Sequence, residues 1–480
     1  MFYKYHYSLL LSSFCLLFAT QAQAFSLQET GKNVLMSRND TNEYNSSSNP
    51  LLFPTKPQEV KIENTKPISL KDAVEIALKN NEELQVARLQ LERSQEGLNE
   101  ALATKLPTVN GQLEMNQRSD DTAGVNGFTP RDRTVLSGQI EVSYNVYDGG
   151  NRNATINRSR RQIFFDQLEV ERISEKVRFD ATNAYYELQN ADAQVEIAKA
   201  AIEDFTQTLR DAKLLEKAGL GTQFDVLQAE VDLAQANQNL AVAISNQKNA
   251  RRRLVDVLNV GEKIEFTGAD EIAENGTWDY SLEESIIMAY KNRAELEQLL
   301  VQRDINAQDK KIALAQIRPQ VDVFANYNFS DNLRDSFENT GYADGYNVGA
   351  RLNWQIFDGG QAKARSNQEN VNIKIDETNF SDQKNQIRLS VESAYNNLVA
   401  NKENIKTTEK QVETAVESLR LARLRFQAGV GTQTDVINAQ RSLTEARGNF
   451  LQAIIGYNQS LNELQRAVSN LPDSKLFELR

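Results

Sequence analysis

One phrase is written twice in this chain. "KAGLGTQFDVLQAE" begins at Lys217 and "QAGVGTQTDVINAQ" begins at Gln427, 210 residues later. "YNVYDGGNRNATINRSR" from Tyr144 answers "WQIFDGGQAKARSNQEN" from Trp354 at the same offset, and "NAYYELQ" at Asn183 answers "SAYNNLV" at Ser393. Upstream, "SLKDAVEIALKNNEEL" at Ser69 answers "SLEESIIMAYKNRAEL" at Ser281, offset by 212, and Pro107 answers Pro319. Self-similarity over this length means one structural unit built twice. The chain therefore divides into two repeats, residues 69–260 and 281–471. Around them lie an extended, irregular segment (25–68), a link (261–280) and a short tail (472–480).

Each repeat reads in the order helix, strand, loop, strand, long helix, tip, helix. The long helix of the first carries apolar residues at Val177, Ala181, Ala184, Leu188, Ala191, Val195, Ala198, Ile202, Phe205, Leu209 and Ala212. Gaps alternating between four and three are the seam of a coiled coil. A further gap of four from Val177 to Ala181, after Val170, Ile173 and Val177, is a stutter that locally unwinds the supercoil. The second seam runs through Ile387, Val391, Ala394, Leu398, Asn401, Ile405, Thr408, Val412, Ala415, Leu419, Ala422 and Phe426. A helix from Gly150 to Ala218 spans roughly 100 Å at 1.5 Å per residue. The flanking helices, Leu70–Leu106 and Thr222–Leu258, are about half as long, so two short helices stacked end to end match one long one.

The segments between helices alternate. Leu136, Gly138, Ile140, Val142, Tyr144 and Val146 share one face, and Ser137, Gln139, Glu141, Ser143 and Asn145 the other. Tyr346, Val348, Ala350, Leu352, Trp354 and Ile356 repeat the pattern against Asn347, Gly349, Arg351, Asn353 and Gln355, and shorter partners start at Val109 and Val321. Strands of about ten residues with one apolar face suit an outer-membrane barrel, although a half-buried soluble sheet gives the same alternation. Aromatics at strand ends (Tyr144, Tyr147, Trp354, Phe357) suit an interfacial girdle, and long polar loops are expected near Arg118–Arg133 and Ser330–Asp344. Four strands cannot close in lipid, so further copies must complete the sheet. Two, three and four copies give eight, twelve and sixteen strands, and the pattern does not choose among them.

The first residues favour export. Lys4, an apolar core from Leu9 to Ala19 and Ala22-Gln23-Ala24 form a secretory signal cleaved after Ala24, too short in its core to span a bilayer. Cleavage removes His6 and Cys15, the only histidine and cysteine. Without them there is no thiol or histidine nucleophile, no disulfide and no Cys/His zinc site, and no residue constellation points to an enzyme or a cofactor. The remaining chain holds 53 basic and 66 acidic residues, a balance that argues against a nucleic-acid partner.

Pro107 and Pro319 end the incoming helices. At Asp148-Gly149-Gly150 and Asp358-Gly359-Gly360 an aspartate caps a new helix while glycines take a sharp turn. Gly219 and Gly429 supply left-handed helix endings. Thr222 and Thr432 cap the returning helices, with Asp225 and Asp435 three residues on as capping-box partners.

The duplicated DGG junctions, the duplicated AGxGTxxDV tips and the two-fold repeat together resemble the TolC-type outer-membrane channel family over about Ser69–Leu471. The resemblance implies a mainly α-helical mixed fold. A homotrimer would form a twelve-stranded β-barrel in outer-membrane lipid, and long coiled-coil hairpins would form a tunnel through the periplasm. A small mixed domain from residues 261–280 and the terminal segments would girdle the tunnel. It also implies a passive duct for small-molecule efflux or protein secretion, joined through a periplasmic adaptor to an energised inner-membrane transporter. Asp435 matches the first of two acidic positions ringing the closed entrance, where crowding of like charges should raise proton affinity. The second acidic position is Asn438. Where relatives hold the entrance shut with an arginine and a tyrosine, this chain has Gly431 and Phe426, so the resemblance supplies no lock. Exposed tip residues Leu220, Gly221, Val430 and Gly431 suit docking to the adaptor or serve only as turn formers. A periplasmic coiled-coil adaptor is the competing reading. It should show one hairpin flanked by compact β domains, against the two hairpins and alternating strands found here.

Overall fold

The computed structural model describes residues 53–124, 127–261, 263–335 and 341–469. The expected signal, most of segment 25–68 and the tail lie outside the described residues. In chain order the elements are β1 (Asn64–Ile68), α1 (Leu70–Asn80), α2 (Glu82–Ala103), β2 (Thr108–Gly124), β3 (Gly127–Tyr147), α3 (Asn151–Lys217) and α4 (Gln223–Leu258). They continue with β4 (Ile264–Gly268), α5 (Leu282–Asn292), α6 (Ala294–Ala315), β5 (Gln320–Asp335), β6 (Gly341–Asn353), α7 (Gln361–Gln427) and α8 (Gln433–Val468). Both long helices have 67 residues and both returning helices have 36.

The helical seams are buried as the spacing demands. Val177, Ala181, Ala184, Leu188, Val195, Phe205 and Ala212 are buried on α3, and Ile387, Val391, Ala394, Leu398, Ile405, Ala415 and Leu419 on α7, with the other seam positions half-buried. One extensive core joins α5, α7 and α8 through Ile387, Val391, Ala394, Tyr457, Leu461 and Leu464. α3 packs against α2, α6, α4 and α8, so short helices stack along a long one.

Each incoming helix, expected to be single, is two helices. Asn81 leaves the helical region (φ −62°, ψ 127°), and its side chain accepts from the Leu84 N–H, capping α2. Arg293 makes the same break (φ −77°, ψ 114°) before α6. Asparagine competes for backbone hydrogen bonds and so starts a helix better than it continues one. Residues 64–68, at the described end of the N-terminal segment, and the link meet in a small sheet, where β1 and β4 pair in parallel from Asn64↔Ile264 to Ile68↔Gly268. Phe266 on β4 is buried, and Tyr185 of α3 donates to Asp270 Oδ2 at 2.7 Å just beyond it.

The second sheet has the order β2-β3-β5-β6 with every pairing antiparallel, which leaves β2 and β6 as edges. Its strands run further than expected at one end and less far at the other. Most of the supposed loop Arg118–Arg133 is ladder, closing at Gly124↔Gly127. Polar residues with weak strand propensity are held there by cross-strand bonds, Ser119 Oγ to Asp132 Oδ1 at 2.6 Å and Arg133 Nε to Asn332 Oδ1 at 2.8 Å. Residues 330–335 and 341–344 are strand as well. At the other end β6 stops at Asn353, because its partner β5 begins at Gln320, directly after Pro319. Trp354 leaves the ladder, and its indole N–H donates to the Ile317 carbonyl at 3.1 Å.

The two faces of this sheet differ in exposure. Leu113 (69 %), Val348 (71 %) and Leu352 (63 %) lie open to the surroundings, while Ser143, Asn145 and Asp322 on the opposite face are half-buried. The apolar side thus faces outward. Among the described residues no helix is long and apolar enough to cross a membrane.

Candidate functional site

Both hairpin tips follow from the same local chemistry. Gly219 (φ +70°) ends α3: its N–H donates to the Glu216 carbonyl at 2.9 Å and that of Leu220 to the Leu215 carbonyl at 2.9 Å. Gly429 (φ +75°) ends α7, with bonds from Gly429 to Phe426 and from Val430 to Arg425, both 3.0 Å. This is the Schellman ending, which needs a residue free to adopt positive φ. Thr222 Oγ1 then accepts from the Asp225 N–H at 3.2 Å while Asp225 Oδ2 accepts from the Thr222 N–H at 3.0 Å. Thr432 and Asp435 repeat the box at 3.1 and 2.9 Å. Gly221 and Gly431 fold back on their helices: a Cβ at Gly431 would sit 3.0 Å from the Arg425 Cβ. Leu220 (78 %) and Val430 (70 %) project outward.

Asp435 and Asn438 are exposed and one helical turn apart, so they share a face of α8. Within one chain the Asp435 carboxyl is held below the usual carboxylate range, first by the Thr432 backbone N–H and then by the Thr432 hydroxyl. The crowding expected to raise it would have to come from other copies. Asp225 is half-buried and does not join that face, but its backbone carbonyl accepts from Gln433 Nε2 at 3.1 Å, which ties the two tips together.

Further ties join the hairpins above the tips, and these were not anticipated. Arg423 of α7 pairs with Asp204 of α3 at 2.7 Å, and Gln440 of α8 donates to the Asp204 carbonyl (3.0 Å) and to Thr208 Oγ1 (2.6 Å). Arg441 of α8 pairs with Asp232 of α4, whose side chain is only 3 % exposed. Between them Ile437 is buried with Ala201, Phe205 and Ala236. The signal for this contact was the adjacent apolar pair Val436-Ile437. Neighbouring helical residues cannot share one face, and indeed Val436 packs toward α7 and Ile437 toward α3 and α4.

At the strand–helix junctions the aspartates sit two residues before the helix cap. Asp148 accepts from the Gly150 N–H at 3.0 Å and from the Arg152 N–H; Asp358 accepts from Gly360 at 2.8 Å and Ala362 at 2.6 Å. The Ala362 N–H in particular holds the Asp358 carboxyl below its ordinary range. Gly149, Gly150, Gly359 and Gly360 all have positive φ. A Cβ on Gly149 would also lie 2.7 Å from that of Arg318. Of the girdle aromatics, Tyr147, Trp354 and Phe357 are exposed, while Tyr144 is half-buried beneath the Arg152 guanidinium, 5.6 Å from its ring centre. Among the described residues no group of three His, Cys, Asp or Glu side chains could hold a metal ion.

Comparison with known proteins agrees with this architecture. The sequence matches the family described as "Outer membrane efflux protein" twice, over residues 73–260 and 286–470. It is 21 % identical over 409 residues to the outer membrane protein TolC of Vibrio cholerae, covering 84 % of this chain and 91 % of the relative. Among solved structures, CusC superposes with a TM-score of 0.72 at 15 % identity, covering 87 % of this chain and 95 % of CusC. VceC of Vibrio cholerae superposes with a TM-score of 0.68 at 19 % identity, covering 84 % and 96 %. The chain belongs to the outer membrane efflux protein family, channels of the outer membrane whose helices extend into the periplasm.

Proposed function

We propose that three copies close their four-stranded sheets into one twelve-stranded barrel, and that the barrel opens into a helical tunnel that conducts cargo passively. The observation that carries this is the sheet's combination of an exposed apolar face with two unpaired edges, β2 and β6. Open edges are not tolerated in lipid, whereas closure pairs every backbone group. The helical hairpins hang from the same sheet end through the DGG junctions, which makes barrel and tunnel continuous.

In this reading the tips form the periplasmic entrance. Three Asp435 carboxylates around the axis favour cations and repel anions, with Asn438 as an uncharged second ring. The ties Arg423–Asp204 and Arg441–Asp232 hold the second hairpin against the first, in place of a lock at Gly431 and Phe426. The tip surface at Leu220, Gly221, Val430 and Gly431 docks a periplasmic adaptor, which joins the duct to an energised inner-membrane transporter. Small-molecule efflux and protein secretion both fit a duct whose wall does no chemistry.

Planar-bilayer recording tests the reading. The purified protein should give discrete conductance steps, cation-selective and small in the closed state. Asp435→Ala should enlarge the steps and weaken the selectivity. A protein that never inserts, or whose selectivity ignores Asp435, would refute the channel or its entrance respectively.

A further inference from the structure

The sheet edge from which the helices hang has an uneven charge distribution. The start of β2 at Thr108, the end of β3 at Tyr147, the start of β5 at Gln320 and the end of β6 at Asn353 all lie at this edge. Lys105 precedes β2 by three residues, Lys363 and Arg365 occupy the opening turns of α7, and Arg160 lies nine residues into α3, about 13 Å along its axis. All four are exposed, and among the described residues none forms an ion pair; Arg365 bonds only the neutral Gln316, at 3.1 Å. Arg152 and Arg318 add charge with neutral partners, the Asn145 and Gly149 carbonyls.

Acids at the same level are already engaged. Asp148 and Asp358 cap their own helices, Asp309 pairs with Arg158 and Asp304 with Arg161, and Glu369 accepts from Asn372. On α2, Glu92, Glu96 and Glu100 are exposed, Glu96 accepting from Asn99. The first turns of α3 and α7 contain no acid. Cations there oppose the helix dipole, which favours negative charge at an N-terminus. In a chain whose balance is acidic overall, this placement leaves exposed cations open to an external anion.

The neighbouring surface identifies that anion. Trp354, Ile356 and Phe357 (82 % exposed) shortly precede Lys363 and Arg365 in the chain, and exposed Leu106 directly follows Lys105. Helical side chains lean toward the N-terminus, so Arg160, Lys363 and Arg365 lean toward this apolar rim, their stems along it and their charges beyond it. We propose that this rim and its cations form a docking surface for anionic phospholipid headgroups of the periplasm-facing leaflet, fixing the depth of the barrel. The proposal rests on the outer-membrane channel reading above. A phosphodiester on an acyl-chain anchor satisfies both halves of the surface at once, which free phosphate cannot do.

The test uses the full-length protein and the variant K105Q/R160Q/K363Q/R365Q. Native mass spectrometry from mixed phosphatidylethanolamine–phosphatidylglycerol micelles would count retained lipids, and neutral bilayers would report conductance. The wild type should retain phosphatidylglycerol in preference, with affinity falling by about five-fold per cation removed. K105R/K363R should keep the preference. Equal retention of the two lipids, or an unchanged preference in the quadruple variant, would overturn the proposal. So would displacement of the lipid by inorganic phosphate, which would indicate a free-anion site. Dissociation of the variant's oligomer in neutral detergent would also overturn it, by assigning these cations to subunit contacts. Loss of conductance in both proteins would instead strike the channel reading, so the two failures are separable.

Discussion

The helical hairpins and the four-stranded sheet use one alternating grammar with opposite results. On α7 the repeating apolar residues Val391 and Ala394 are fully buried inside their own chain. On β6 the repeating apolar residues Tyr346 and Val348 are among the most exposed large apolar side chains of the described residues. A helix satisfies its own backbone and needs only a neighbour for its stripe, which the hairpin provides. A sheet needs partners at both edges as well, and this one has four strands with nothing beyond β2 or β6. One chain therefore completes its coiled coils, while its sheet keeps two unpaired edges and an exposed apolar face among the described residues.

That contrast breaks most severely if charge is placed on the sheet's outer face. Leu113→Arg with Val348→Arg should cost about 2–4 kcal/mol apiece at the bilayer midplane. Insertion into vesicles should fail while far-ultraviolet circular dichroism keeps its helical signal. Insertion at wild-type level would mean that this face does not meet lipid. The converse substitution is Leu464→Ala, at a fully buried position in the core of α5, α7 and α8. It should destabilise by about 2–5 kcal/mol and lower the melting temperature of the helical signal. A melting curve that did not move would deny the hairpin its independence.

These two regions were also unequally legible in the sequence. Seam spacing identified α3 and α7 residue by residue, because helix periodicity is read within one segment. The capping boxes Thr222/Asp225 and Thr432/Asp435 were legible for the same reason: donor and acceptor lie three residues apart. The breaks at Asn81 and Arg293 were hidden inside otherwise continuous apolar periodicity. Strand ends depended on partners elsewhere in the chain. Arg118–Arg133 has the composition of a loop, yet its residues 118–124 and 127–133 are held in a ladder by their pairing, and β6 stops where β5 has nothing left to offer. Arg423–Asp204 and Arg441–Asp232 join residues about two hundred positions apart, and only the adjacent apolar pair Val436-Ile437 signals in the sequence that α8 meets the first hairpin.

The hairpin ties give a smaller and more selective prediction. Arg441→Ala leaves the buried Asp232 carboxylate without its cation, whereas Arg423→Ala breaks a pair whose two partners are both partly solvated. A solvated pair contributes about 0.2–1 kcal/mol, and losing one partner of a buried carboxylate costs more. Bilayer conductance should therefore rise in both variants and rise further in Arg441→Ala. Equal conductance in wild type and Arg441→Ala would show that these ties position the hairpins without restraining them.

The smallest effect separates what one chain settles from what several copies settle. Asp435 titrates low in the single chain because the Thr432 backbone N–H and hydroxyl bind its ionised form. A depressed carboxyl contributes stability that is complete above the ordinary aspartate value of about 3.9 and is lost as pH falls through the lower folded value. The capped tip should therefore be insensitive to pH near neutrality and loosen only in strong acid. Thr432→Ala removes the hydroxyl and should move the titration of Asp435 up toward the ordinary range, read from the carboxyl carbon resonance. Three Asp435 side chains around a shared axis act in the opposite direction, since each charge disfavours its neighbours'. If wild-type Asp435 titrates below the ordinary range in the assembled protein, the cap prevails and the carboxylates stand too far apart to interact. If it titrates above that range, like charge around the axis prevails over the cap, and the rise measures the charge ring at the entrance.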